Sequence, residues 1–210
     1  LFRSSVDTGN EFITFEIKSV LPISVAKKYA GISASLVAHI KNTRTPFSID
    51  FGVGDVIVPK QEKRKIPTQL NDFSSPMINT YSLETTIAEK IDAILSLMEF
   101  SSRMKDYYDI YYLANKFDFD GKILVDALKR TFANREHNFT VEQFEQVMSF
   151  DADDLMQRKW KAFIKKIDAK TDDFSKVINT IDDFLRFPIE TALNGTNFLM
   201  QWKASSNIWE

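Results

Sequence analysis

Between Arg103 and Leu113 the chain reads RMKDYYDIYYL, which sets two carboxylates, Asp106 and Asp109, beside Arg103 and Lys105. On a helix Asp106, Ile110 and Leu113 fall at i, i+4 and i+7, so Asp106 shares the apolar stripe that faces a core. A carboxylate there needs a partner or a task, because buried charge is costly unless it is paired, hydrogen-bonded or bound to a metal. A plainer reading stands beside this one. Arg103 with Asp106 and Lys105 with Asp109 are also ordinary i+3 and i+4 ion pairs, each worth roughly 0.2–0.5 kcal/mol.

Two further residues enter on similar terms. Asp50 sits on the polar face of a strand, directly before Gly52-Val53-Gly54-Asp55. It is either a solvent-facing strand residue or a metal-binding carboxylate beside glycines that let a phosphate chain approach the backbone. Lys90 falls at the edge of a helical apolar stripe, beside Leu83, from where it either snorkels to solvent or reaches inward. Lys90 and Asp106 lie on consecutive helices joined by a short link, so the two are expected to meet. A purely structural ion pair between them has the same sequence signature.

Other chemistry-bearing patterns have simpler explanations. Asp118-Phe119-Asp120-Gly121 resembles the opening of a calcium loop but lacks the later ligands, and helix capping accounts for it. The cluster Asp151, Asp153 and Asp154 reads as the cap of the next helix. Gly52-Val53-Gly54 lacks the third glycine and following helix of a dinucleotide site. Lys60, Lys63, Arg64 and Lys65 in one segment, and Arg158, Lys159, Lys161, Lys165 and Lys166 on a helix, are either solvated faces or contacts for a nucleic acid backbone.

The elements that carry these residues follow from periodicity. Ile13, Phe15 and Ile17 alternate with Thr14, Glu16 and Lys18; Ala34, Leu36, Ala38 and Ile40 alternate with Ser35, Val37 and His39; Phe47, Ile49 and Phe51 alternate with Ser48 and Asp50. Three strands are predicted, the last two joined as an antiparallel hairpin through Asn42 to Thr45. The polar stretch from Lys60 to Pro76 is expected to be a loop. After Tyr81 the period changes: Ser82 is an N-cap, and Leu83, Ile87, Ile91, Ile94, Leu95 and Met98 form a helical stripe. Further helices are predicted over residues 103–115, 122–132, 141–148, 154–167 and 173–187. The pattern is α+β, a small mostly antiparallel sheet followed by a helical bundle, with a β-rich domain over residues 1–80 and a helical domain over 81–210.

Composition narrows the chemistry. The 210 residues are 44% hydrophobic and 13% aromatic, as in a globular protein. With 27 basic and 29 acidic residues the net charge is −2, so no global field draws the chain to nucleic acid or membranes. There are no cysteines and only two histidines, which removes disulfides, thiolate metal sites and cysteine nucleophiles. His39 is expected to point outward from a strand, and His137 lies in a polar stretch, so any metal is a hard ion on carboxylates. No apolar run approaches the ~20 residues that span a bilayer, and a cytoplasmic setting is expected.

The succession TPFSIDFGVGD, Thr45 to Asp55, then YSLETTIAEKIDAI, Tyr81 to Ile94, then SRMKDYYDIYYL, Ser102 to Leu113, resembles the AbiEii/AbiGii toxin family of nucleotidyltransferases. The likeness continues through FDFDGKILVDAL to FLMQWKASSNIWE. It implies a nucleotidyltransferase fold of the DNA polymerase β type and transfer of a nucleoside monophosphate from a triphosphate with Mg2+. It also implies a place in toxin–antitoxin or phage-defence systems, where some members favour GTP and some modify tRNA ends. By position Asp50 matches a metal carboxylate, Lys90 the motif lysine, and Asp106 with Asp109 the aspartates of a Lys-Asp-x-Tyr-Asp motif. Arg103, just ahead of that motif, and Lys105 and Asp109 within it are taken as substrate-binding residues. This set suits two-metal phosphoryl transfer, with carboxylates holding the ions and a lysine offsetting phosphate charge.

One departure qualifies the match. The family's Gly-Ser motif and the strand-borne Asp-x-Asp that follows it do not occur ahead of Asp50. Leu1-Phe2 reads as the continuation of that Asp-x-Asp, so upstream residues are expected to be missing. The expected protein is therefore an AbiEii-like nucleotidyltransferase that is inactive in this truncated form. The alternative is a non-catalytic module that binds a nucleotide, RNA or an antitoxin. Loss of a strand would leave a sheet edge to be covered by a second copy, giving a homodimer, or by residues 1–10.

Overall fold

The structure is a computed structural model that describes residues 12–23, 31–52, 54–100, 103–169, 171 and 173–210. The chain divides into two compact units, one ending at Asp55 and one running from Val56 to Glu210.

The first unit is a three-stranded antiparallel sheet, β1 (Ile13–Pro22), β2 (Ile32–Ile40) and β3 (Thr43–Phe51), in the order β1-β2-β3. The predicted alternation is present in β1, where Ile13, Phe15 and Ile17 are half-buried and Thr14, Glu16 and Lys18 exposed. Phe15 and Phe47 meet edge to face across the sheet at 5.7 Å. A bulge between Ile17 and Ser19 shifts the register of β1 against β2. His39 lies with Glu16 at 3.3 Å, consistent with an outward-facing strand residue. The turn between β2 and β3 is tighter than predicted. Thr43, Arg44 and Thr45 belong to β3, leaving Lys41 and Asn42 as the turn, with Lys41 in the left-handed region at φ 51°. Threonines suit a pleated strand better than a turn, and the ladder extends to use them. The edge-covering role expected of residues 1–10 lies outside the described residues.

The second unit opens with a correction. The segment from Lys60 to Pro76 expected to be a loop contains a strand, β4 (Glu62–Lys65), which pairs antiparallel with β5 (Met77–Thr80) just beyond that segment. The two strands are short and mostly exposed, so no apolar alternation announces them; backbone pairing holds the register, with the Thr80 hydroxyl donating to the Glu62 carbonyl at 3.1 Å. Six α-helices follow among the described residues: α1 (Leu83–Leu97), α2 (Met104–Lys116), α3 (Gly121–Asn134), α4 (Val141–Met148), α5 (Asp154–Ile167) and α6 (Phe174–Asn194). Three short strands, β6 (Phe119–Asp120), β7 (Gln201–Lys203) and β8 (Ile208–Trp209), form a sheet that ties the C-terminal segment to the start of α3. The α+β class is as predicted.

The core is helical. Ile87, Ile91, Ile94 and Leu95 of α1 pack with Tyr107 and Ile110 of α2, Leu124 and Leu128 of α3, and Ile178, Ile181 and Phe184 of α6. Ser82 caps α1 as predicted, accepting from the Thr85 amide at 3.1 Å, and its hydroxyl donates to the Val58 carbonyl at 2.5 Å. The Val58 amide donates to Thr85 Oγ1 at 2.8 Å, so residues before β4 are pinned to the start of α1. Asp120 and Asp153 cap α3 and α5, as their sequence contexts predicted.

The last helix runs seven residues beyond its predicted end, through Pro188 to Asn194. Proline lacks the N–H that would reach the carbonyl four residues back, which belongs to Phe184. That carbonyl accepts instead from Trp209 Nε1 at 3.0 Å, while the Trp209 and Phe184 rings stack at 5.8 Å. A residue far along the chain thus satisfies the bond that proline removes.

Candidate functional site

Helix α1 delivers Lys90 from the rim of its buried stripe, one turn from Ile87 and Ile94. Helix α2 packs beside it and delivers Asp106 from the buried face shared with Tyr107 and Ile110. Lys90 Nζ donates to Asp106 Oδ1 at 3.1 Å and to Asp109 Oδ2 at 2.5 Å. The other Asp106 oxygen accepts from Arg103 Nε at 2.5 Å, and Lys105 Nζ reaches Asp109 Oδ2 at 2.5 Å. The local i+3 and i+4 pairs and the inter-helix contact are therefore present together.

Burial grades the cluster. The Asp106 side chain is 4% exposed and Lys90 17%, whereas Arg103 is 56% and Lys105 70% exposed. A desolvated lysine–carboxylate centre is rimmed by cations that reach water. The inner pair is strongly coupled to the packing, because removing either partner would strand a charge. Beside it, burial and the Asp106 charge push the Tyr107 hydroxyl well above the usual tyrosine range. That hydroxyl has no hydrogen-bond partner among the described residues.

Of the predicted site residues, the second unit brings together Lys90, Arg103, Lys105, Asp106 and Asp109. Asp50 belongs to the first unit, where it is exposed on β3 opposite Ser33.

A second buried charge centre was not foreseen. Asp92, 2% exposed at its side chain, accepts from Arg135 Nη1 at 2.7 Å and lies 2.7 Å from His137 Nδ1. Arg135 also approaches Glu89 at 3.4 Å. Ser96 Oγ and Asp92 both face the same ring nitrogen of His137, so this is not the relay geometry of a hydrolase triad. It ties α1 to the turn after α3. Asp92 lies one residue after Ile91 on the buried side of α1, and that position was the only signal for it in the sequence.

The sequence model of a family described as the nucleotidyl transferase AbiEii toxin of type IV toxin–antitoxin systems matches residues 3–186. The chain belongs to this family. No curated protein and no solved structure matches it. The AbiEii match spans both units and includes the whole Lys90–Asp106–Asp109 cluster. It makes the chain a member of a group of toxin nucleotidyltransferases. No helix among the described residues is long and apolar enough to cross a membrane.

The AbiEii assignment raises the question of Mg2+, and the cluster does not fit it. Among the described residues no three histidine, aspartate or glutamate side chains converge on one point. Both oxygens of Asp106 are engaged by cations, and Lys90 and Lys105 share one oxygen of Asp109. An added cation on Asp106 would have to displace the Lys90 ammonium or the Arg103 guanidinium, and one beside Asp109 would meet two ammonium groups.

Proposed function

We propose that this AbiEii-family chain serves transfer of a nucleoside monophosphate from a triphosphate, GTP among the candidates, to an RNA acceptor such as tRNA. In this reading Lys90, held by Asp106 and Asp109, receives the charge of the triphosphate together with Arg103 and Lys105. The observation that carries it is the inward-reaching Lys90 ammonium, fixed between two carboxylates and largely stripped of water. A cation already oriented and desolvated needs little reorganisation when phosphate arrives. Asp106 is a positioning residue, since one oxygen holds Lys90 and the other Arg103. Arg103 and Lys105 supply donors at the exposed rim, and the family resemblance assigns a metal to Asp50, which belongs to the other unit.

The engagement of both Asp106 oxygens and one Asp109 oxygen by cations favours a second reading for the 210-residue polypeptide by itself, that of a nucleotide-, RNA- or antitoxin-binding module. With Asp50 as the lone carboxylate assigned to a metal, the polypeptide is expected to bind nucleotide without transferring it.

Calorimetric titration with GTP, beside incubation with labelled triphosphates, magnesium and total tRNA, tests both points. Lys90→Met is expected to weaken GTP at least tenfold, about 1.4 kcal/mol, with its folding checked by circular dichroism. Unchanged affinity in a folded Lys90→Met protein would remove the cluster from the site. Robust labelling of the RNA by the wild-type polypeptide would overturn the no-transfer reading.

A further inference from the structure

Within the second unit, away from Lys90, an open cleft of about 960 Å3 lies between residues 57–60, α3 and residues 196–199. Three lysines from two separate segments converge on it, Lys60 ahead of β4 and Lys122 and Lys129 on α3. None of the three makes an ion pair among the described residues. The acids of the cleft have partners of their own: Asp126 holds Arg130, which lines the same cleft, at 3.0 Å, and Asp120 caps α3 and accepts from Gln201 at 2.9 Å. Gln201, the capping amides and the charge of Lys122 hold the Asp120 carboxyl below its usual range, so it stays ionised and offsets part of that lysine's charge. With Arg130 the lining carries four cations against the two carboxylates of Asp120 and Asp126, and in a chain of net charge −2 such an excess of positive charge in one concavity marks an anion-binding surface.

The spacing and the walls refine the ligand. Lys122 and Lys129 are seven residues apart on α3, roughly 10 Å along the helix, and Lys60 stands on the opposite wall. Charges spread in this way match phosphates strung along a chain better than one compact triphosphate. Between the cations lie apolar surfaces, with Val125 buried in the wall and the Phe198 ring half-buried at the rim. Phe198 is held in place: it packs edge-on to Trp209 at 4.8 Å, and it lies so close to α3 that a Cβ at Gly121 would collide with it. Gly121 itself donates to the Met200 carbonyl at 2.9 Å, fixing that wall to the helix. A fixed aromatic ring beside a lysine-lined groove is the arrangement that takes stacked bases and a phosphate backbone together.

We propose that this cleft binds a single-stranded nucleic acid, with its phosphates on Lys60, Lys122 and Lys129 and a base against Phe198. The inference goes beyond the transfer reading and does not need the Lys90 site, since binding is read without turnover.

The test is fluorescence anisotropy of the full chain with labelled oligouridylate, titrated across salt. The double variant Lys122→Glu/Lys129→Glu is expected to bind at least tenfold more weakly, and its log–log salt slope to be shallower by about 1.4, as loss of two phosphate contacts predicts. Lys161→Glu/Lys165→Glu on α5 should leave binding unchanged. Photocrosslinking with 4-thiouridine RNA should label the peptide carrying Phe198. Absence of binding by the wild type at 50 mM salt would overturn the proposal, as would loss of binding only in the α5 variant. So would equal displacement by polyglutamate, which would mark an acidic protein as the occupant, or by GTP, which would mark a free nucleotide.

Discussion

At the scale of single residues, the chemistry of this chain rests on which charges are buried and what holds them. Asp106 survives in the core because Lys90 and Arg103 occupy its two oxygens, and Asp92 survives because Arg135 and His137 do the same. Tyr107 differs, with a buried hydroxyl that has no partner among the described residues. Removing an unsatisfied hydroxyl while keeping the ring should stabilise the fold, so Tyr107→Phe is expected to raise unfolding free energy by about 1 kcal/mol near neutral pH. Linkage adds a second signature. The folded hydroxyl titrates far above the ordinary value near 10, so above pH 10 the unfolded chain releases a proton that the native chain keeps, and stability falls. Urea midpoints at pH 8 and above pH 10 should show this alkaline loss in the wild type and less of it in Tyr107→Phe. A variant with the same pH slope and lower stability would refute the assignment.

At the scale of elements, distant segments complete each other's backbone bonds. The Trp202 indole donates to the Ala114 carbonyl at 2.7 Å near the end of α2, and the Trp209 indole serves the Phe184 carbonyl that Pro188 leaves open. The short β6–β7–β8 sheet exists to place these two tryptophans, and with them the wall that holds Phe198. Trp209→Phe keeps an aromatic ring but loses the donor, and is expected to cost about 1 kcal/mol or more. In a Pro188→Ala background, where an amide can again reach Phe184, the same substitution should cost measurably less. Thermal or urea unfolding of the four proteins closes the cycle; equal costs in the two backgrounds would show that the indole bond is not compensating the proline.

At the scale of the whole molecule, the two units differ in how much apolar surface they bury. Among the described residues of the first unit only Leu36 and Val37 are buried hydrophobics, while the second has a continuous core from Val58 to Trp202. Stability should be distributed in the same way, because local opening is easiest where few apolar contacts resist it. Native-state hydrogen exchange is expected to show the amides of β2 exchanging well before those of α1 and α6. Equal protection in the two units would mean that the sheet is held by something other than its own core.

Much of this was legible along the chain. Periodicity located the three strands and the helices, because burial on one side of a strand or helix dictates a period of two or 3.6 wherever a core is present. Side-chain caps were readable at Ser82, Asp120 and Asp153, since a short acceptor ahead of an apolar run satisfies amides close by in sequence. The meeting of Lys90 with Asp106 was readable too, and so was the family. What the tertiary structure alone decided was whatever depends on partners far apart in sequence. The β4–β5 hairpin has too little buried side to leave a pattern. Helix α6 passes Pro188 because a tryptophan 21 residues later accepts the burden of one missing amide. Asp92 became a buried charge centre only when Arg135 and His137 arrived beside it, and Lys60 joined Lys122 and Lys129 only when α1 pinned Val58 in place. Local interactions write themselves into local sequence; a hydrogen bond or a cleft assembled across tens of residues needs the fold before it exists.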